Sequence, residues 1–375
     1  MQHQIILSLG SNQGNRIQNL ENALLQIHQT IGTVIRVSPV YETPSWGFDS
    51  DSFYNCSLLV HSHFSAIKIL QIVLSIEEKL GRIRSQQSGY SARIIDIDII
   101  AFNEEVYDLE ELQIPHPLMQ QRKFVLQPCA DLQTDWIHPQ LNMNFHELLA
   151  LCKDPSSCTK TGVLSQPLDI YNFQSINFLA IEGNIGAGKT TLAHKIAEDF
   201  NAKLILEGFA DNPFLPKFYK DNARYAFPLE MSFLADRYSQ LSDDLGQFEL
   251  FKEFIISDYY IFKSLIFSKI TLEEDEYLLY KQVFDIMYKK TPKPDLYIYL
   301  YQNTDRLLEN IQKRGRSYES DIPATYLDQV NQGYFNYVKT LPEGKVLVID
   351  ISDLDFVENQ KDYLVILNAI QQKLK

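Results

Sequence analysis

The stretch Leu179-Ala180-Ile181-Glu182-Gly183-Asn184-Ile185-Gly186-Ala187-Gly188-Lys189-Thr190-Thr191-Leu192 begins as an apolar strand, turns through three glycines and continues as a helix. Gly183, Gly188, Lys189 and Thr190 meet the spacing G-x-x-x-x-G-K-[ST], a P-loop. Its glycines let backbone N–H groups turn inward onto phosphate oxygens, and the helix N-terminus adds a favourable dipole. Lys189 can bridge β- and γ-phosphates, while the Thr190 hydroxyl can ligate Mg²⁺. Gly183, Gly186, Gly188, Lys189, Thr190 and Thr191 are therefore the expected triphosphate-binding set. This element normally follows the first strand of its sheet. Here it lies mid-chain, and the residues before it leave room for a whole domain.

With 375 residues, 45% of them hydrophobic and 12% aromatic, the chain can fill two cores. Charge is acidic in both halves: residues 1–160 carry 11 Lys+Arg against 17 Asp+Glu, and the remainder 23 against 31. Such a surface repels nucleic acid and anionic membrane, so neither is an expected partner. The first residues read as a strand, not a signal peptide, and no apolar run is long enough to span a bilayer. Cys56, Cys129, Cys152 and Cys158 show no metal-type spacing. A cytoplasmic protein acting on small molecules is expected.

Along residues 1–155, strands are expected at Ile5–Leu9, Val34–Tyr41, Phe53–Val60 and Ile94–Phe102. Helices are expected at Ile17–Ile31 and Ala66–Leu80. This β, α, β, β, α, β order resembles a ferredoxin-like α+β sandwich. Residues 156–175 are polar, rich in Ser, Thr and Pro, and read as a linker. Residues 176–375 alternate strand and helix, with late strands at Asp295–Tyr301 and Lys345–Ile351. That rhythm argues for an α/β P-loop kinase domain with a parallel sheet.

The wording around the P-loop closely resembles the deoxyribonucleoside kinase family, and matching blocks span nearly all of residues 177–375. The resemblance makes Glu207 the general base that takes the sugar 5′-hydroxyl proton as that oxygen attacks the γ-phosphate. Asp211-Asn212-Pro213-Phe214-Leu215-Pro216-Lys217-Phe218-Tyr219 resembles the bacterial purine-preferring branch. Lys313-Arg314-Gly315-Arg316-Ser317-Tyr318-Glu319 is similar to the family lid. It implies Arg314 and Arg316 as catalytic cations, and Glu319 with Tyr219 as ligands of the deoxyribose 3′-hydroxyl. Two departures stand out. Where the family has an acid followed by Arg-Ser, this chain has Asp258-Tyr259-Tyr260. Asp258 can still support Mg²⁺, but the arginine is absent. A Gln seven residues before an Arg usually reads the base; here the pair is Glu230 and Arg237. A carboxylate could accept both N1–H and N2–H₂ of guanine, whereas adenine suits an amide better. The surrounding block favours purines generally, and Glu230 could instead simply pair with Arg237. The base stays open between deoxyadenosine and deoxyguanosine.

In the first half, Arg93-Ile94-Ile95-Asp96-Ile97-Asp98-Ile99-Ile100 puts two carboxylates on one strand face. Paired carboxylates beside arginines suit Mg²⁺ bridging ATP phosphates; a merely solvated face is the alternative. Together with Gly10-Ser11-Asn12 and Pro115-His116-Pro117-Leu118, this segment resembles 6-hydroxymethyl-7,8-dihydropterin pyrophosphokinase over about residues 3–150. The resemblance implies transfer of the β,γ-pyrophosphoryl unit of ATP to the pterin hydroxymethyl oxygen, releasing AMP. It implies Asp96 and Asp98 as ligands of Mg²⁺, Arg93 and Arg122 as catalytic, and Glu77, Arg82, Arg84 and His116 at ATP. Thr43, Pro44, Tyr54, Asn55 and Phe124 would form the pterin pocket. Where the family has Trp-Gly-Pro before the arginine, this chain has Tyr90-Ser91-Ala92.

The expectation is a bifunctional enzyme using ATP and Mg²⁺ in both halves, with a homodimer through the kinase half as one arrangement. The alternatives are an inactive pterin-binding or interaction module ahead of an active kinase, or a second half acting on a phosphorylated acceptor.

Overall fold

The computed structural model describes residues 2–82, 92–173, 175–208, 212–218, 220–246, 252–316, 319 and 322–375. The chain divides into two compact units, residues 1–170 with 358–364, and residues 171–357 with 365–375.

In chain order the first part holds β1 (His3–Ser11), α1 (Arg16–Thr30), β2 (Thr33–Val37), β3 (Val40–Thr43), β4 (Phe53–Ser62), α2 (Ala66–Lys79) and β5 (Asp96–Phe102). A small hairpin, β6 (Tyr107–Asp108) and β7 (Gln113–Ile114), precedes α3 (Lys123–Asp131), α4 (Phe145–Leu151) and β8 (Thr159–Gly162). The sheet is antiparallel in the order β5-β1-β4-β3-β8, with β2 also paired to β4. Side-chain alternation sorts this sheet between two cores. Ile5, Leu7 and Leu9 of β1 pack with Leu20, Leu24 and Ile27 of α1 and Ile69, Val73 and Ile76 of α2. Ile6, Leu59 and Ile100 face the other way, onto Val125, Leu126 and Cys129 of α3 and Phe145 and Leu148 of α4. Side chains of Asn15 and Ser65 cap α1 and α2 by accepting from backbone N–H groups, the usual device for a helix start.

Two expectations change. The single strand over Val34–Tyr41 is two strands, β2 and β3, broken at Ser38-Pro39. Pro39 cannot donate to a ladder, and the Ser38 hydroxyl instead accepts from the Ser57 N–H at 2.8 Å. The polar stretch 156–175 also contains structure. It contributes β8 to the edge of the sheet against β3, and Leu164, Leu168, Tyr171 and Phe173 are buried within it.

From residue 178 the elements are β9 (Phe178–Gly183), α5 (Lys189–Asp199), β10 (Lys203–Ile205), α6 (Leu215–Phe218), α7 (Asn222–Gly246), β11 (Ile255–Ser257), α8 (Lys263–Thr271) and α9 (Glu274–Tyr288). Then follow β12 (Leu296–Tyr301), α10 (Thr304–Arg314), α11 (Ala324–Val338), β13 (Val346–Asp350) and α12 (Gln360–Leu374). The sheet is wholly parallel, ordered β10-β11-β9-β12-β13. Its central strand, β9, is buried at every residue, as a parallel strand covered on both faces must be. That strand delivers the P-loop at its C-terminal end, where ligands of open parallel sheets bind. No described helix is long and apolar enough to cross a membrane.

Candidate active sites

The P-loop glycines are set by space and backbone angle. A Cβ on Gly183 would lie 2.7 Å from the Leu300 carbonyl oxygen. Gly188 caps α5 with φ +76°, and a Cβ there would meet the Phe356 ring at 2.7 Å. No other residue fits both positions without strain. Lys189 Nζ donates to the Asn184 carbonyl at 2.9 Å. Burial, and next the charge of nearby Lys263, pull the Lys189 ammonium down to about 8. Beneath the loop, the fully buried Glu182 accepts from the Tyr260 N–H and the Tyr334 hydroxyl, each at 2.8 Å.

A cavity of about 190 Å³ opens beside the loop and is lined by Lys189, Thr190, Glu207, Glu230, Arg237, Asp258, Lys263, Arg314, Arg316 and Glu319, among others. Asp258 is shared: one carboxylate oxygen accepts from the Thr190 hydroxyl and the other from the Glu207 N–H. Glu207 sits between two cations. Arg237 donates to Oε1 through Nε at 2.9 Å and Nη2 at 2.7 Å, and Lys263 Nζ reaches Oε2 at 2.7 Å. Although burial alone would raise it, those cations hold the Glu207 carboxyl far below the usual range. Glu319 carries Arg314 and Arg316. Glu230 stands apart. Its Oε1 accepts from the Thr271 hydroxyl at 3.0 Å, while the buried Oε2 has no hydrogen-bond partner among the described residues. Burial pushes Glu230 up to about 7.

In the first unit, a cavity of about 160 Å³ is lined by Gly10, Thr43, Pro44, Trp46, Phe48, Phe53, Asn55, Arg93, Asp96, Asp98, His116, Arg122 and Phe124 together with Ser8. Asp96 and Asp98 share a face of β5 with Ile100, while Ile97 and Ile99 pack into the opposite core. Asp96 binds Arg93 at 2.5 Å and Arg82 at 2.6 Å. Asp98 lies further from its cation, with Arg122 at 3.8 Å. Burial and the adjacent Asp96 accordingly push it up to about 7. Burial, then the Arg122 charge, takes His116 down to about 4, so its imidazole is neutral. The motif Gly10-Ser11-Asn12 anchors the arginine: Asn12 Oδ1 accepts from the Arg93 N–H at 2.7 Å and the Ser11 hydroxyl donates to the Ile94 carbonyl at 2.5 Å.

The deoxynucleoside kinase family model matches residues 179–375, and the 7,8-dihydro-6-hydroxymethylpterin-pyrophosphokinase model matches residues 6–134. The second half is 40% identical over 190 residues to deoxyguanosine kinase of Bacillus subtilis, covering 50% of this chain and 92% of that one. It is 31% identical to deoxyadenosine kinase of Lactobacillus acidophilus, over 53% of this chain and 97% of that one. The first half is 40% identical to 2-amino-4-hydroxy-6-hydroxymethyldihydropteridine pyrophosphokinase of Porphyromonas gingivalis, over 36% of this chain and 94% of that one. The chain belongs to both families, joined end to end.

In the deoxynucleoside kinase half, the expected Glu207, Glu230, Arg237, Asp258, Arg314, Arg316, Glu319, Lys189 and Thr190 all line one cavity. Tyr219 falls outside the described residues. Thr191 is exposed on the first turn of α5 and is not part of the lining. Arg237 does not pair with Glu230; its guanidinium is taken by Glu207 and by the Ser264 hydroxyl at 2.7 Å. Tyr259, standing where an arginine was expected, is fully buried and donates its hydroxyl to Gln240 at 2.9 Å. Lys263 was missed by sequence reasoning. It opens a helix 56 residues after its partner Glu207, and nothing local marks it.

In the pterin pyrophosphokinase half, Thr43, Pro44, Asn55, Phe124, Arg93, Arg122, His116, Asp96 and Asp98 line one cavity. Arg84 falls outside the described residues. Glu77 is buried on α2, where it accepts from the Ile97 N–H at 2.8 Å and pairs with Arg82; it does not line this cavity. Tyr54 is a correction. It points to the other face of β4, under the Arg16 guanidinium at 3.6 Å, and Phe53 lines the cavity instead. Strand parity gives the reason: 53 and 55 share a face, and 54 does not. Trp46 and Phe48, from the turn after β3, complete the aromatic wall and were not anticipated.

Proposed function

We propose that the second half phosphorylates purine deoxynucleosides at the 5′-hydroxyl, with deoxyguanosine as the preferred acceptor. Glu230 Oε2, which has no hydrogen-bond partner among the described residues, carries this reading. A buried acceptor in the cavity needs donors, and guanine offers N1–H and N2–H₂ side by side where adenine offers one. The likeness to a deoxyguanosine kinase supports it. Glu207 takes the hydroxyl proton, and the 5′-oxygen attacks the γ-phosphorus as the bond to the β-phosphate breaks and ADP departs. Lys189 and the P-loop amides hold the phosphates, while Arg314 and Arg316 close on the transferred group. Glu319, currently carrying both arginines, takes the 3′-hydroxyl with Tyr219.

The first half moves the β,γ-pyrophosphoryl unit of ATP onto the hydroxymethyl oxygen of the dihydropterin, and AMP leaves. Asn55 reads the pterin amide edge, and the flat ring lies among Phe53, Phe124, Trp46 and Phe48. Arg93 and Arg122 steady the phosphates, His116 meets ATP, and Arg82 approaches from the side of α2, with Arg84 as a further ATP contact.

Mg²⁺ fits both sites by donor chemistry. Asp96 and Asp98 would hold it in the first, and the under-compensated charge of Asp98 favours a cation there. Thr190 and Asp258 would hold it in the second. Among the described residues no three acidic, His or Cys side chains gather, so phosphate oxygens and water would complete the shell. The ion would draw off phosphate charge as the transferred group moves.

The sheet order β5-β1-β4-β3 supports a ferredoxin-like core in the first half. We set its limit at residue 155 and the start of the kinase domain at 176. A cytoplasmic location and a kinase-half homodimer complete the reading. One assay set tests it: ATP with each of four deoxynucleosides and with hydroxymethyl-dihydropterin. Deoxyguanosine should lead the nucleosides, and AMP should form with the pterin. Phosphorylation of dGMP or dAMP but of no nucleoside, or absence of AMP, would overturn the respective half.

A further inference from the structure

Residue 259 is a core tyrosine, so the cation that the deoxynucleoside kinases place there must come from elsewhere or be missing. Lys263 stands one helical turn later in sequence, at the first residue of α8. Only 9% of its side chain is exposed, and its ammonium lies 2.7 Å from Glu207 Oε2 inside the cavity that also holds Lys189, Thr190 and Asp258. That position is costly for a lysine. A helix N-terminus repels positive charge, burial removes hydration, and the cavity already contains Lys189 and Arg237. Such crowding of cations makes sense where a multiply charged anion arrives.

The two cations on Glu207 differ in how they are held. Arg237 is fixed twice, bonded to Oε1 by two nitrogens and to the Ser264 hydroxyl by a third. Lys263 meets Oε2 through one ammonium on a flexible stem, with the Phe267 ring 5.4 Å from Nζ. Oε2 is also the oxygen left to receive the acceptor hydroxyl, since Oε1 is covered by the guanidinium.

We propose that Lys263 is a catalytic residue of the kinase half: the arriving 5′-hydroxyl displaces its ammonium from Glu207 Oε2, and the ammonium moves onto the γ-phosphoryl oxygens, replacing the cation absent at Tyr259. This rests on the reading of Glu207 as the group facing the 5′-hydroxyl. The γ-phosphorus bond to the β-phosphate oxygen breaks, the bond to O5′ forms, the hydroxyl proton passes to Glu207 Oε2, and ADP leaves. Lys263 gains its phosphoryl contacts only along this path, so it acts on turnover more than on nucleoside binding.

Steady-state kinetics of Lys263→Met, Lys263→Arg and Lys263→Cys test this, the last before and after aminoethylation with 2-bromoethylamine. We expect Lys263→Met to lower kcat by about 10² while the KM for deoxynucleoside changes less than about threefold. Aminoethylation of Lys263→Cys should return at least tenfold of the loss. Pterin pyrophosphorylation by the same samples should stay unchanged. A Lys263→Met kcat within threefold of the parent, a loss confined to KM, or no recovery on aminoethylation would each overturn the proposal. Should Lys263→Met fail to fold, the aminoethylated cysteine and Lys263→Arg decide by the same criteria. Glu207→Gln separates the two claims: full activity in that variant rejects Glu207 as base, whereas loss there with unimpaired Lys263→Met rejects only the role of Lys263.

Discussion

Gly10 and Asn55 touch across β1 and β4: a Cβ built on Gly10 would lie 2.9 Å from Asn55 Oδ1. The two are paired in register, and the Asn55 amide is steadied from its other end by donating to the Thr43 hydroxyl at 2.8 Å. Gly10→Ala should therefore push the amide out of place with little harm to the strand. The KM for hydroxymethyl-dihydropterin should rise about tenfold or more, with nucleoside phosphorylation unchanged. Paired assays on one preparation check this; an unaltered pterin KM would show that Asn55 does not read the substrate.

Phe53 and Tyr54 offer a clean contrast on one strand. Phe53→Ala strips an aromatic wall from the pterin cavity and should weaken pterin binding by about 1–3 kcal/mol, measured by titration calorimetry. Tyr54→Phe keeps the ring beneath Arg16 and should leave binding within twofold. The opposite ranking would reinstate Tyr54 in the pocket.

Glu207→Gln keeps the size of the side chain but removes the proton acceptor and one of the two oxygens that receive Arg237 and Lys263. Nucleoside phosphorylation should fall by about 10²–10⁴, while AMP formation with dihydropterin continues at the parental rate. Loss of both activities in folded protein would contradict independent sites.

Glu230, pushed up to about 7 by burial, makes base choice depend on pH. Above that value the carboxylate accepts both guanine donors. Below it the acid form offers one donor and one acceptor, which is what adenine's N1 and N6–H₂ complement. The ratio of kcat/KM for deoxyguanosine over deoxyadenosine should thus climb between pH 6 and 8. Glu230→Gln should flatten that climb and favour deoxyadenosine by about tenfold or more. A ratio independent of pH in the parent protein would remove Glu230 from base recognition.

What could be read from sequence was local. The P-loop compresses strand, turn and helix into fourteen residues, and Asp96 and Asp98 advertise their shared face by a spacing of two. The lid arginines and Glu207 followed from blocks of similar wording. What escaped depended on register or on distance. Phe53 was passed over for its neighbour because the pairing with Asn55 runs by alternation, not adjacency. Trp46 and Phe48 come from a turn without period. The strand Thr159–Gly162 is a polar edge of Thr, Lys and Gly, so it lacks the apolar alternation that marks a half-buried strand. Lys263 gave no signal because its meaning lies in an oxygen atom 56 residues away.

Asp258 has a consequence of its own. Its two oxygens join Thr190, on the phosphate side of the cleft, to the Glu207 backbone, on the acceptor side. The gap between donor and acceptor is thereby gauged by the width of a single carboxylate. Lengthening that side chain by one methylene, as in Asp258→Glu, would move the floor of both substrates at once, so nucleotide and nucleoside affinities should shift together.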